Sequence, residues 1–186
     1  CALRATGNVV CWGRGTAETK VVSGIVDAKS VSAGAGHACA IRASGSVVCW
    51  GNNHWGQLGN GSAVDSSTAV AVSGISDAIA ISSGKSHSCG VRASGAVLCW
   101  GYGVDGQLGN GIAQTSTTPV AVTGAADAVA VAAGFDHSCA VSKTGSVSCW
   151  GGASHGQLGN GASAKSSIPV AVTGIGLEVA ERKSNG

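Results

Sequence analysis

The chain has 186 residues, of which 31 are Gly, one is Phe, one is Tyr and none is Met, and only 11% are charged. Its formal charge of +2 is spread without a basic run, so it carries no electrostatic footprint for nucleic acid. No apolar stretch approaches the roughly 18 residues of a membrane span, which argues against membrane insertion, and the Ala- and Val-rich apolar content suits thin, closely stacked sheets better than helices.

The chain opens at Cys1 with a shortened motif, CALRATGNVVCWG. A longer version, HACAIRASGSVVCWGNNHWGQLGNG, runs from His37 to Gly61 and recurs from His87 to Gly111 and from His137 to Gly161. Cys39, Cys89 and Cys139 are spaced by 50 residues, as are Trp50, Trp100 and Trp150. A period of this length marks an array of one supersecondary unit, each copy too small to bury a core alone.

Alternation of side chains predicts four strands in the second unit: Ala28–Ser32 (A), His37–Arg42 (B), Ser46–Gly51 (C) and Ala69–Val72 (D), repeated 50 and 100 residues on. In B and C one face carries Cys39, Ile41, Val47 and Cys49, and the other Ala38, Ala40, Val48 and Trp50. A sheet apolar on both faces must lie between neighbours. The expected fold is therefore all-β, a β-propeller of four-stranded antiparallel blades with about four blades present. Residues 1–27 form a first blade lacking strand A, with Lys20–Val22 as its outer strand. Residues 28–77, 78–127 and 128–174 form three full blades, and 175–186 a tail in which Leu177–Ala180 could supply a closing strand. The absence of Met reads as a processed product or a piece of a longer chain, and a homodimer would be another way to pool blades.

The eight cysteines fall into four pairs at one separation: Cys1 with Cys11, Cys39 with Cys49, Cys89 with Cys99, and Cys139 with Cys149. Between each pair lies a turn such as Arg42-Ala43-Ser44-Gly45-Ser46, a three-residue hairpin loop with Gly at the left-handed position. Counting outward from Arg42 and Ser46 places Cys39 opposite Cys49 in a non-hydrogen-bonded pair, with Cα atoms roughly 4.5 Å apart, which is disulfide distance. Four disulfides are predicted, and with them an extracellular, periplasmic or cell-surface location. Buried free thiols are the alternative, and zinc a further one, because His37, His87 and His137 each precede a Cys by two residues.

The segments CWGNNHWGQLGNG, CWGYGVDGQLGNG and CWGGASHGQLGNG, each following a His-containing turn and a Gly-turned hairpin, resemble the repeats of the regulator of chromosome condensation family. The resemblance runs from about Val31 onward and implies a seven-bladed β-propeller. The cysteine pairs look like those of bacterial, envelope-associated members. The wedge with which the family's nuclear exchange factor acts on its small GTPase has no counterpart in this sequence, so nucleotide exchange does not carry over.

No motif nominates a catalytic group. Gly84-Lys85-Ser86 imitates the end of a phosphate loop, but the first Gly of that motif would fall on Ile79. His37, His87 and His137 hold one structural position in successive copies, whereas a catalytic centre needs different groups converging on one point, so they read as structural hydrogen-bonding residues. The expectation is a non-enzyme with no cofactor and no metal.

Where the copies differ points to a binding face. The B-to-C turns (RASG, RASG, SKTG) are nearly uniform, while the A-to-B turns (Ala35-Gly36, Lys85-Ser86, Phe135-Asp136) and the C-to-D loops are not. Successive strands run up and down, so the two variable sets open on one side of the propeller. That side holds Trp55, Tyr102 and Phe135, the aromatics outside the hairpin tryptophans, and aromatics on presented loops anchor protein partners. His54, Trp55, Lys85, Tyr102, Asp105, Phe135, Asp136 and His155 are the candidate partner-binding residues of an extracellular scaffold. A regulator or inhibitor of an enzyme or GTPase is the alternative function, and a structural spacer in a large surface protein a third.

Overall fold

A computed structural model of the protein describes residues 1–13 and 16–175. The proposed closing strand, Leu177–Ala180, lies outside the described residues. The molecule is all-β, a set of antiparallel sheets stacked face to face as propeller blades. Blade 1 has three strands, β1 (Ala2–Leu3), β2 (Val9–Gly13) and β3 (Thr16–Val21). Blade 2 has four, β4 (Ala28–Ala33), β5 (His37–Arg42), β6 (Val47–Gly51) and β7 (Ser66–Ala71). Blade 3 repeats them as β8 (Ala78–Ser83), β9 (His87–Arg92), β10 (Val97–Gly101) and β11 (Ser116–Ala121), and blade 4 as β12 (Ala128–Ala133), β13 (His137–Ser142), β14 (Val147–Gly151) and β15 (Ser166–Ala171). Among the described residues no helix is long and apolar enough to cross a membrane.

The outermost strand of each blade starts earlier than alternation predicts, for example at Ser66 rather than Ala69 in blade 2 and at Thr16 rather than Lys20 in blade 1. The cause is a bulge. In blade 2, Cys49 faces Val70, but Gly51 pairs with Ser66, so the ladder continues into Ser66-Ser67-Thr68, a polar edge with no apolar periodicity to reveal it.

Each hairpin closes as its turn chemistry requires, with the Arg42 amide donating to Ser46 O and the Gly45 amide to Arg42 O, Gly45 at a φ of 86°. Cys39 then faces Cys49 directly, the Cα atoms 4.0 Å apart, and a disulfide joins them. Cys1–Cys11, Cys89–Cys99 and Cys139–Cys149 are bonded in the same way.

The core lies between blades. The cysteine face of blade 2 (Cys39, Ile41, Val47, Cys49), with Leu58, Val72 and Ile75, packs on Trp100 of blade 3. The corresponding face of blade 3 packs on Trp150, and Val9, Val22 and Ile25 of blade 1 pack on Ala38, Ala40, Val48 and Trp50 of blade 2. Both faces of the inner sheets are thus covered, which is why the alternating positions are apolar on both sides. The innermost strand β8 meets β4 on one side and β12 on the other, and small residues let them approach: the Ser83 amide donates to Ser32 Oγ and the Ala133 amide to Ser82 Oγ, both at 2.9 Å.

Candidate functional site

One repeated hydrogen-bond lock holds adjacent blades at the loop end. The carbonyl of Gln57 in blade 2 accepts Trp100 Nε1–H at 2.9 Å and Ser88 Oγ–H at 3.0 Å, both from blade 3, which fills its two lone pairs. Because the only proton on Ser88 Oγ is committed there, the 2.8 Å contact with His37 Nε2 must be donated by the imidazole. The same set recurs one blade on with Gln107, Trp150, Ser138 and His87. In this tautomer Nδ1 of His37 and of His87 keeps a bare lone pair, and both atoms are buried without a partner. Burial pushes His37 and His87 down from 6.5 to about 4; for His87 the neighbouring His37 and His137 add to the shift and Asp136 opposes it. The imidazoles are neutral struts.

The variable C-to-D loops stand on this lock. In blade 2 the fully buried Asn53 accepts the Leu58 amide at 2.9 Å and donates to Ser62 O and Val64 O, while the Trp55 amide donates to Gln57 Oε1. Asn53 varies between copies, Gly103 and Ala153 standing in its place, yet it is a pin of the loop. Gly61 and Gly111 amides donate to Thr117 O and Ser167 O of the following blade, so each loop is tied to its neighbour as well.

The nominated side chains come together between blades. Trp55, Lys85, Tyr102, Asp105, Phe135 and Asp136, with Ser86 and Gln107, line one cavity of about 330 Å³. Trp55 meets Tyr102 edge to face at 5.1 Å between ring centroids, and Lys85 Nζ lies 3.9 Å from the centroid of Phe135. Asp105 pairs with Lys165 at 3.6 Å, and Asp136 accepts from Gln157 Nε2. Trp55 and Phe135 remain exposed at 47% and 66%. His54 lines an adjoining cavity that shares Trp55, Lys85 and Ser86. His155, bonded to Ser154, lies apart from both. Ser86 was legible only as half of the variable Lys85-Ser86 turn and was not among the nominated residues, and Gln107 reads as part of the repeat.

Profiles of the Regulator of chromosome condensation (RCC1) repeat match residues 44–91 and 94–141, and, in a second description of the same repeat, residues 28–57, 78–107 and 128–157. The chain belongs to the RCC1 repeat family. Among solved structures, this RCC1 repeat chain is similar to human WBSCR16, with a TM-score of 0.80 and 22% identity over 92% of this chain and 50% of that one. It is similar to yeast RCC1 (Prp20), crystallised bound to Kap60, at a TM-score of 0.74 and 20% identity over 85% of this chain and 39% of that one. The ectodomain of the Physcomitrella patens receptor kinase CR4 aligns at a TM-score of 0.53 and 27% identity over 80% of this chain and 35% of that one. The chain thus spans half the length of WBSCR16 and less of the others. No curated protein matches it by sequence.

Proposed function

We propose that this RCC1 repeat chain is a non-enzymatic scaffold that binds a protein partner through its A-to-B and C-to-D loop face. The observation that carries this reading is the shared cavity: six variable loop residues from three successive blades surround one concavity, with exposed rings beside charges. Exposed aromatic anchors with charged neighbours are the composition of protein-recognition surfaces. Proteins of this fold that bind proteins support it, since yeast Prp20 is described with Kap60 and by its binding to Gsp1p and histones. His54 and His155, on C-to-D loops of blades 2 and 4, belong to the same face on this reading. The four disulfides favour an oxidising compartment, secreted, periplasmic or on a cell surface, and the similarity to a receptor ectodomain points the same way. The cysteine pairing also resembles that of bacterial envelope members. On this reading residues 1–27, 28–77, 78–127 and 128–174 are successive blades, completed by a longer chain or a second copy.

The test is capture of partners from an extracellular or envelope fraction with the wild-type chain and with Trp55→Ala/Tyr102→Ala/Phe135→Ala. The variant should keep its melting temperature and lose the partner. A partner held equally by both proteins would remove the loop face from consideration, and stoichiometric inhibition of an enzyme by the wild type would favour the regulator alternative.

A further inference from the structure

The first blade breaks the lock, and the break leaves a built cavity. Trp50 to Val72 spans 22 positions but Trp12 to Val22 only 10, so blade 1 lacks 12 residues, among them the Gln-Leu-Gly that seals the next tryptophan in the other blades. At the blade 1–blade 2 junction lies a cavity of about 380 Å³ whose walls include Cys1, Cys11, Trp12, Ala38, Trp50 and Gly51.

The following interfaces show what fits there. A Cβ on Gly101 or Gly151 would touch the Cα of Gln57 or Gln107 at 3.2 Å, whereas at the equivalent Gly51 the three nearest atoms belong to Gly36 and His37. Leu58 and Leu108 pack with the disulfide of their own blade and the tryptophan of the next, where Cys39, Cys49, Cys89 and Cys99 are 0% exposed, while Cys1 and Cys11 are only half-buried. Trp100 and Trp150 give their indole protons to a Gln carbonyl, and Trp50 has no such acceptor among the described residues. Ala38 replaces the Ser88 and Ser138 that share the carbonyl elsewhere, so the Trp50 N–H is the donor at this junction. Trp12, 55% exposed, forms an apolar rim.

We infer that this cavity is a peptide-binding site for an extended partner segment bearing a leucine. The leucine side chain covers the Cys1–Cys11 disulfide, and the carbonyl of the residue before it accepts the Trp50 indole proton. The site takes in trans what blades 2 and 3 supply in cis, and it is separate from the Trp55, Tyr102 and Phe135 cavity.

The probe is the capped hexapeptide Gly-Gln-Leu-Gly-Asn-Gly, titrated into the full chain with tryptophan fluorescence and calorimetry as readouts. Saturable binding at millimolar concentration or below is expected, weakened about tenfold when the peptide leucine is replaced by Ala. Bound peptide should slow reduction of Cys1–Cys11 and leave the other three disulfides unaffected. Trp50→Phe, checked for an unchanged melting temperature, should bind several-fold more weakly. A chain with the twelve missing residues inserted after Gly13, copied from blade 2, should not bind at all. The triple loop variant Trp55→Ala/Tyr102→Ala/Phe135→Ala should bind as the wild type does, so failure here and failure of the loop face are distinguishable. Absence of saturable binding, or equal binding of the leucine and alanine peptides, overturns the proposal.

Discussion

Trp100 Nε1 donates to the carbonyl oxygen of Gln57, 43 residues earlier in the chain and in the preceding blade, at 2.9 Å. The bond joins a side chain on one sheet to the backbone of a loop on another, so it acts only when the two blades are stacked. Trp100→Phe keeps most of the ring and removes the donor. A loss of about 1–2 kcal/mol in unfolding free energy is expected, measured by denaturant titration. The same change at Trp50, which has no Gln carbonyl ahead of it, should cost less, and equal costs would show that ring volume dominates.

The buried imidazoles make stability depend on pH. In the unfolded chain His37 and His87 take up protons near 6.5, whereas in the folded chain burial holds them down to about 4. The unfolded state therefore binds more protons through this window. Their contribution is complete above 6.5 and is lost as pH falls toward about 4, by a few kcal/mol at most for each group. Unfolding midpoints should fall between about pH 7 and pH 4, and His87→Asn should show a shallower dependence at lower overall stability.

Gly84 sits where blades 3 and 4 approach at the axis. A Cβ there would collide with the carbonyl oxygen of Gly134 and with the ring of His87, and the Lys85 amide bonds that same carbonyl at 3.1 Å. Neither obstacle is the free end of a flexible side chain. Gly84→Ala should destabilise the protein by about 2–4 kcal/mol. Gly124→Ala, on a connection where a Cβ meets nothing within 4 Å, is limited to the cost of its φ of 74° and should be milder in the same thermal melts.

The disulfides should open in order. Each joins cysteines 10 positions apart, so loop entropy makes them equivalent at about 2–3 kcal/mol, and access for the reductant decides the sequence. Cys1–Cys11 is half-buried, Cys139–Cys149 is partly covered, and the two inner bridges are at 0% exposure. Partial reduction followed by alkylation and peptide mapping should label Cys1 and Cys11 first and Cys39, Cys49, Cys89 and Cys99 last.

The uniform turns on the far side have their own explanation. Arg42 Nε bonds Asp27 Oδ1 at 2.8 Å and Arg92 Nε bonds Asp77 Oδ1 at 2.7 Å, clamping the B-to-C turn to the connection before strand A. Blade 4 has Ser142 at the position of Arg42 and Arg92, paired across the ladder with Ala128, the residue after Asp127. Ser142→Arg should add a third pair worth a few tenths of a kcal/mol in thermal melts, since both partners of the existing pairs are about one-third exposed.

Much of the fold was legible because its signals are local or strictly periodic. The two apolar faces of Cys39, Ile41 and Val47 against Ala38, Val48 and Trp50 follow from two-residue alternation, and the Cys39–Cys49 bridge follows from counting outward from one turn. The edge strand at Ser66 was not legible, because a bulge shifts its pairing and its outward residues are polar. Of the candidate site, the side of the propeller could be read from strand direction and the aromatics from their variation between copies. Asn53 looked like one more variable loop residue, and only its bonds to Leu58, Ser62 and Val64 show it to be a pin.

The amino-acid sequence alone determined the repeating unit, the strand faces, the disulfide partners and the family, since each of these depends on residues a short and constant distance apart. Tertiary structure decided which carbonyl receives each tryptophan proton, which loop residues of blades 2, 3 and 4 share a cavity, and that the gap in blade 1 leaves two tryptophans and a disulfide around a hollow. Those outcomes rest on backbone oxygens and on a missing segment, neither of which has a side chain to announce it, and on contacts between blades that exist only once the sheets are stacked.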